Sequence, residues 1–301
     1  MSSVSSKPTV YDAVTAKIIT ALEAGASEYR TPWHAPRSSL TLPTNAFTLS
    51  EYRGINVLGL WIEGMQRSYS SALWASYKQW QSLGAQVRKG EKGAMIVFYK
   101  RMEEKASEAD DHDSEPKLRY VARASHVFNL AQVDGCQAIE NQPRPEVECC
   151  REAEAFVDSV GAEIRHGFSM ACYRRVSDVI EMPERAWFAG TETSSPTESY
   201  YATVLHELTH WSGAPHRLNR EFGKRFGDQA YAMEELVAEL GAAFGCAALG
   251  IANDPRPDHA GYLAHWLAIL KADNRAIFTA ASKAQEAFEH LAYLATKNGN
   301  L

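Results

Sequence analysis

Thr203-Val204-Leu205-His206-Glu207-Leu208-Thr209-His210 is the stretch whose reading decides the back half of this chain. Val204, Leu205 and Leu208 supply the apolar side of a buried helix. Four residues make about one helical turn, so the imidazoles of His206 and His210 leave the same face and can share a metal ion, with Glu207 beside the open coordination position. Nitrogen and oxygen donors favour Zn2+, and leave Mn2+ or another divalent ion open. A metal of this kind acidifies its bound water, Glu207 takes the proton, and the natural reaction is peptide hydrolysis. Tyr231 or His216 would serve as the oxyanion stabiliser such a reaction needs.

A third ligand is required, and two residues compete for the role. His206 and His210 continue through Gly213 to His216, a string that matches the metzincin pattern in which the third histidine completes the site. Such a site also needs a methionine-containing turn, whereas the only downstream methionine, Met233, opens a strongly helical segment. The alternative is Glu235 in Met233-Glu-Glu-Leu-Val-Ala-Glu239, with Glu239 one turn later to accept a hydrogen bond from a ligand histidine. Glu235 is preferred, and His216 is the alternative. Glu234 and Glu239 can also be read as solvated charges on a helix face.

Outward from this motif the periodicity predicts helices at 148–160, 196–211, 231–249, 259–272 and 275–297, with short extended pieces at 162–165, 171–174 and 179–182. A small sheet with segregated helices is an α+β arrangement. Gln142-Pro-Arg-Pro-Glu146 cannot sustain a ladder or a helix interior, so a linker is placed at 141–147 between domains at 1–140 and 148–301. In the front half Thr9 to Glu23 reads as an amphipathic helix capped by Thr9 and Asp12. Further helices are expected at 57–65 and 71–83, and a strand at 94–99. The acidic stretch from Glu103 to Glu115 reads as a solvated loop before a returning strand at 120–128.

The net charge of −6 conceals two opposite halves. Residues 1–102 hold 12 Lys and Arg against 6 Asp and Glu, and the remainder holds 19 against 31. A basic front on an acidic chain points to a nucleic-acid-facing module. Single-strand binders combine a basic groove with aromatic faces on which bases stack. Here Trp33, Tyr52, Trp74, Tyr77, Trp80 and Tyr99 are interleaved with Arg53, Lys78, Arg88, Lys89, Lys92 and Lys100, and Asn56 is placed to read a base edge or pin a turn. Trp74 and Trp80, at helical spacing, have a competing reading as core. The longest mostly apolar run, 240–252, is too short to span a bilayer, so no membrane helix is expected. An odd set of five cysteines without framework spacing, and a polar N-terminus, fit a reducing cytoplasm.

At this point the chain resembles the ArdC antirestriction proteins of conjugative plasmids, an architecture similar to the N-terminal region of TraC-type plasmid primases. The resemblance rests on Tyr200 to Gly213, Arg217-Leu-Asn-Arg220 and Tyr231 to Glu239 in the back half. In the front half it rests on Tyr52-Arg-Gly-Ile-Asn56, Trp74 with Tyr77-Lys-Gln79, and Leu83 to Gly93. It implies an N-terminal single-stranded-DNA-binding domain and a C-terminal zincin-like metallopeptidase domain that together protect incoming plasmid DNA from host restriction. It also implies Glu235, rather than His216, as third ligand. Single-stranded DNA is the partner it implies. A protein substrate or a host restriction component is a further partner to consider.

Overall fold

The computed structural model describes residues 8–26, 31–35, 39–103, 118–136, 144–222, 229–254 and 262–299, with 101–103 and 118–120 described by their backbone only. The acidic stretch beyond Glu103, residues 137–143 with the start of the Pro-rich linker, and the expected start of a helix at 259 lie outside them.

In the front half, α1 (Val10–Gly25) begins where the sequence places it. Thr9 accepts from the Asp12 N–H, and the Asp12 carboxylate accepts from the Thr9 N–H in return. α2 (Ile55–Gln66) lies against α1, with Lys17 paired to Glu63; Val57, Leu58 and Ile62 of α2 and Ile18 and Leu22 of α1 are buried in one core. The helix expected over 71–83 is instead divided. Leu73–Ala75 forms β2, hydrogen-bonded between β1 (Thr44–Asn45) and β5 (Leu118–Asn129), and Ser76 then caps the short α3 (Tyr77–Ser82) through a box with Gln79. Ladder partners on both sides, with a strong cap at Ser76 to start the helix later, override the helical periodicity of 71–76. β5 runs antiparallel to β4 (Ala94–Glu103) over ten paired positions, giving a sheet of order β1-β2-β5-β4. A two-stranded ladder of β3 (Gln86–Val87) and β6 (Val133–Asp134) closes this half.

The back half opens with α4 (Glu146–Val160). A small sheet follows, of β7 (Glu163–His166), β8 (Cys172–Arg174) and β9 (Val179–Met182) in the order β7-β9-β8. β7 and β9 are parallel, and the edge strand β8 is antiparallel to β9 and lies against α5 (Pro196–Ser212). α5 starts sharply: Ser195 caps it, Pro196 occupies its first turn and Glu198 completes the capping box. α6 (Ala230–Leu249), α7 (Leu263–Ala272) and α8 (Ala276–Asn298) complete the helical layer. Among the described residues no helix is long and apolar enough to cross a membrane.

The main apolar core runs through both halves. Val14, Ile18, Leu58 and Ile62 belong to the same buried cluster as Leu205, Leu240, Phe244 and Ala281, and Trp61 packs its ring 5.9 Å from Phe244. Two small satellite clusters, around Trp80 and Trp74, sit under the front sheet.

α5 and α6 meet at glycines. A Cβ on Gly241 would stand 2.6 Å from Thr209 Oγ1 and Cγ2, and one on Gly245 would meet Leu205 at 3.2 Å. Gly241→Ala is therefore expected to destabilise the protein by about 1–3 kcal/mol through overpacking. Gly64→Ala, on α2, where an added Cβ would meet nothing within 4 Å, is expected to be neutral or stabilising by a few tenths of a kcal/mol. Thermal unfolding of the two variants beside the parent checks both signs.

Candidate metal centre

His206 and His210 lie one turn apart on α5, and their Nε2 atoms are 3.1 Å from each other. Glu235, in the first third of α6, places Oε2 3.5 Å from His206 Nε2 and Oε1 3.5 Å from His210 Nε2. The His–His spacing and the distance from each histidine to its nearer Glu235 oxygen are close to the edge, roughly 3.4 Å, of a tetrahedron whose corners lie about 2.1 Å from a central ion. The three residues form a metal-competent group of ligand atoms. The opposite nitrogen of each ring faces a carboxylate: His206 Nδ1 is 3.3 Å from Glu239 Oε1, and His210 Nδ1 is 3.1 Å from Glu234 Oε1. With His210 Nδ1 hydrogen-bonded to Glu234 and His206 Nδ1 beside Glu239, both Nε2 atoms stand on the side of Glu235, an arrangement that suits a divalent cation. The residues fit a divalent metal.

Glu234 is itself held by Arg220, whose buried guanidinium donates from Nε and Nη2 at 2.8 and 2.6 Å and reaches the Thr209 carbonyl and Ser212 hydroxyl as well. This explains Gly213 without a metzincin turn. Gly213 ends α5 in right-handed geometry, φ −79°, and a Cβ there would stand 2.7 Å from Arg220 Nη2. His216 accordingly does not reach the metal group. Its side chain is 61% exposed, and its Nε2 is 3.2 Å from Asp178 Oδ2 and next to Arg217. Arg217 grips the same Asp178 carboxylate with two nitrogens and lies over the Trp211 ring, so the chain after α5 is tied to the turn between β8 and β9. Neither Glu234 nor Glu239 is a solvated helix charge.

Glu207 is buried, and its Oε2 accepts the backbone N–H of Tyr173 on edge strand β8 at 2.8 Å. It lines a cleft of about 780 Å³ together with His206, His210, Glu235, Cys172 and Tyr231. A metal held here supplies a Lewis acid and an acidified water. Glu207 would take the proton at its carboxylate. Tyr231 lines the cleft, 63% exposed, its hydroxyl sharing a hydrogen bond with that of Tyr262; this bond and the nearby Glu235 charge raise its pKa, so the hydroxyl stays neutral.

The electrostatics of the metal-free site favour a charged His210. Burial alone would lower its pKa, but hydrogen bonds to Glu234 and Glu235, with the charges of Glu235 and Glu207, hold it well above the ordinary imidazole value. Burial likewise opposes ionisation of Glu235, and the two histidines override it and keep the carboxylate ionised.

The front half is sorted differently from the sequence expectation. Trp33 and Trp74 are buried, at 0% and 2% exposure, and cannot stack on bases: Trp33 packs against Trp266 and Trp74 against Tyr69. Trp80 is buried too and donates to the Phe128 carbonyl. Asn56 reads no base edge, because its amide donates to the Val97 carbonyl at 2.8 Å and accepts the Val97 N–H at 2.7 Å, pinning α2 to β4. Tyr52 is half-buried beneath Asn45, Arg53 is paired with Glu289, and Arg88 is held by Glu91, Asp134 and the Ala131 carbonyl. Tyr77, Lys78, Lys89 and Lys92 remain exposed. Sequence reasoning missed Phe98 and Arg123, which are exposed and directly opposite each other on β4 and β5. Strand alternation on either side of the acidic stretch is the signal that finds them.

Comparison with known proteins agrees with this architecture. Residues 8–128 match the N-terminal domain of anti-restriction factor ArdC, and residues 151–283 match a zincin-like metallopeptidase family, MPTase-PolyVal. The crystal structure of metal-free antirestriction ArdC from plasmid R388 superposes with a TM-score of 0.77 at 35% identity, covering 97% of this chain and 100% of that one. The chain belongs to the ArdC family. A Mn(II)-bound ArdC structure from the same plasmid gives a TM-score of 0.75 at 36% identity over the same shares. Protein y4eC of Sinorhizobium fredii, described as uncharacterized, is 48% identical over 280 residues, 92% of this chain and 89% of its own length. DNA primase TraC of Escherichia coli is 34% identical over 295 residues, which span 93% of this chain and 27% of the primase. The zincin-like ArdC architecture and the Mn(II)-bound relative support a divalent metal in this centre.

Glu235→Ala is expected to weaken divalent-metal binding by roughly 100-fold or more, and His216→Ala to leave it unchanged, as read by titration calorimetry. The pH dependence has a definite sign. A raised folded-state pKa for His210 stabilises the metal-free protein fully below about 6.5, the unfolded value, and that stabilisation is lost as pH rises through the folded value. Metal must displace this proton. The melting temperature of the metal-free protein is expected to fall above neutrality, and metal binding to tighten and to release a proton, measurable in buffers of different ionisation enthalpy.

Proposed function

We propose that this protein is an antirestriction factor that binds single-stranded DNA through its N-terminal half, carries a zinc-loaded peptidase-like centre in its C-terminal half, and protects incoming plasmid DNA from host restriction in the cytoplasm. The observation that carries the reading is the full-length likeness to ArdC of plasmid R388, which spans both halves rather than the metal domain alone. Five cysteines, none in a disulfide, accord with a reducing compartment. Two nitrogens and one carboxylate are a donor set that zinc favours and manganese accepts.

The DNA surface in this reading is formed by Tyr77 and Lys78 on α3, Lys89 and Lys92 on the turn between β3 and β4, and Phe98 with Arg123 on the long hairpin. Exposed rings next to exposed cations are what a sequence-tolerant single-strand groove requires. A second reading, a peptidase acting on DNA-associated proteins, is favoured by Glu207 standing in the same open cleft as the metal group.

Salt-dependent binding to a labelled single-stranded oligonucleotide, with a duplex control, tests the DNA function. The parent is expected to bind the single strand in preference, and a Lys78, Lys89 and Lys92 triple charge reversal to flatten the salt dependence by about 0.7 for each phosphate no longer neutralised. Glu207→Ala is expected to bind DNA normally. Antirestriction activity that survives Glu207→Ala would remove peptide hydrolysis from the biological role, and absence of single-strand binding at moderate salt would sink the DNA reading.

A further inference from the structure

His34 belongs to the N-terminal half by sequence and to the metal centre by position. Its Nε2 is 3.3 Å from Glu239 Oε2, whose partner oxygen Oε1 is 3.3 Å from His206 Nδ1. The three side chains are 4%, 5% and 2% exposed, so the row His34, Glu239, His206 is closed to solvent. The Thr31 N–H donates to His34 Nδ1 at 3.2 Å, which leaves the ring hydrogen of the neutral imidazole on Nε2, facing Glu239.

The segment that carries His34 is fastened to the back half on both sides. Ala35 and Asn253 exchange backbone hydrogen bonds of 2.8 and 3.1 Å, and the Asn253 side chain donates to the Trp33 carbonyl at 3.0 Å. Trp33 is completely buried, its ring 6.3 Å from Trp266. These contacts leave His34 little choice of position, and a carboxylate between two fixed imidazoles has little choice either.

We propose that His34 is a positioning residue of the metal centre, supplied by the N-terminal half, and that metal occupancy and the seating of residues 31–35 are coupled through Glu239. The proposal rests on the reading of His206, His210 and Glu235 as the ligand set. His34 orients Glu239, Glu239 orients His206, and the orientation of His206 determines how well its Nε2 meets the ion. Partners of this kind, outside the ligands themselves, change metal affinity by roughly 10- to 100-fold when removed. Coupling between two elements is reciprocal, so the ion must hold the segment as firmly as the segment favours the ion.

The test titrates Zn2+ into the metal-stripped full chain, as parent, His34→Ala and His34→Gln, with near-UV circular dichroism as a check of packing. His34→Ala is expected to bind zinc roughly 10- to 100-fold more weakly, and His34→Gln, whose amide can still donate to Glu239, to recover most of that loss. Hydrogen exchange at the amides of Trp33 to Ala35 supplies a second readout that does not depend on any variant folding. In the parent, zinc is expected to slow exchange there. Unchanged zinc affinity in His34→Ala, or no zinc-dependent protection of these amides in the parent, overturns the proposal while leaving the metal centre intact. A parent chain that binds zinc no better than a His206→Ala, His210→Ala double variant overturns the ligand set and this proposal with it.

Discussion

The close crossing of α5 and α6 at Thr209 and Gly241 is the constraint on which the centre depends. Because position 241 carries no side chain, the two backbones approach until Thr209 occupies the space a Cβ would fill. That approach brings one helix bearing Glu234, Glu235 and Glu239 against another bearing His206, Glu207 and His210. Helical spacing then divides the labour. Glu235 faces both Nε2 atoms, while Glu239, one turn on, and Glu234, on the adjoining position, face the two Nδ1 atoms. A wider crossing would leave the same residues in the same helices and no shared point between them.

The crossing also concentrates charge. Glu207, Glu235 and Glu239 are buried, with Glu234 close by, and Arg220 is the fully charged base bonded into this group. Buried carboxylates are tolerated when something positive faces them. In the metal-free protein a protonated His210 serves in part, and a divalent ion would serve better. Arg220 is held by Glu234, Ser212 and Thr209 over the bare Gly213, so its guanidinium is not free to take the place of the ion.

What the sequence disclosed was what depends on local spacing. The HExxH turn, the cap at Thr9, the two long helices bearing the ligands and the long hairpin either side of the acidic stretch follow from periodicity and capping chemistry alone. Relations between distant segments were not legible. Trp33, Trp74 and Asn56 have the composition of a DNA surface, yet Trp33 docks on Trp266, Trp74 on Tyr69 and Asn56 on Val97, and no local pattern reports such partners. The third histidine, kept as the alternative ligand, lies away from the centre for a related reason. Gly213 is there for the Arg220 guanidinium, so a string that elsewhere spells a turn toward the metal here spells a niche for an arginine. Ser71 to Leu83 has adequate helical periodicity, but ladder partners on both sides of Leu73–Ala75 claim it as a strand.

The shared apolar core bears on how such a protein can change over generations. Recombination between genes preserves function when the crossover falls where few contacts cross. Here α1 and α2 contribute Ile18, Leu58 and Ile62 to the same cluster as Phe244 and Ala281, so exchange of one half for a distant relative's would bring together two surfaces that had not adapted to each other. The unit of inheritance is the whole pair, and a substitution in either half is screened against packing in the other.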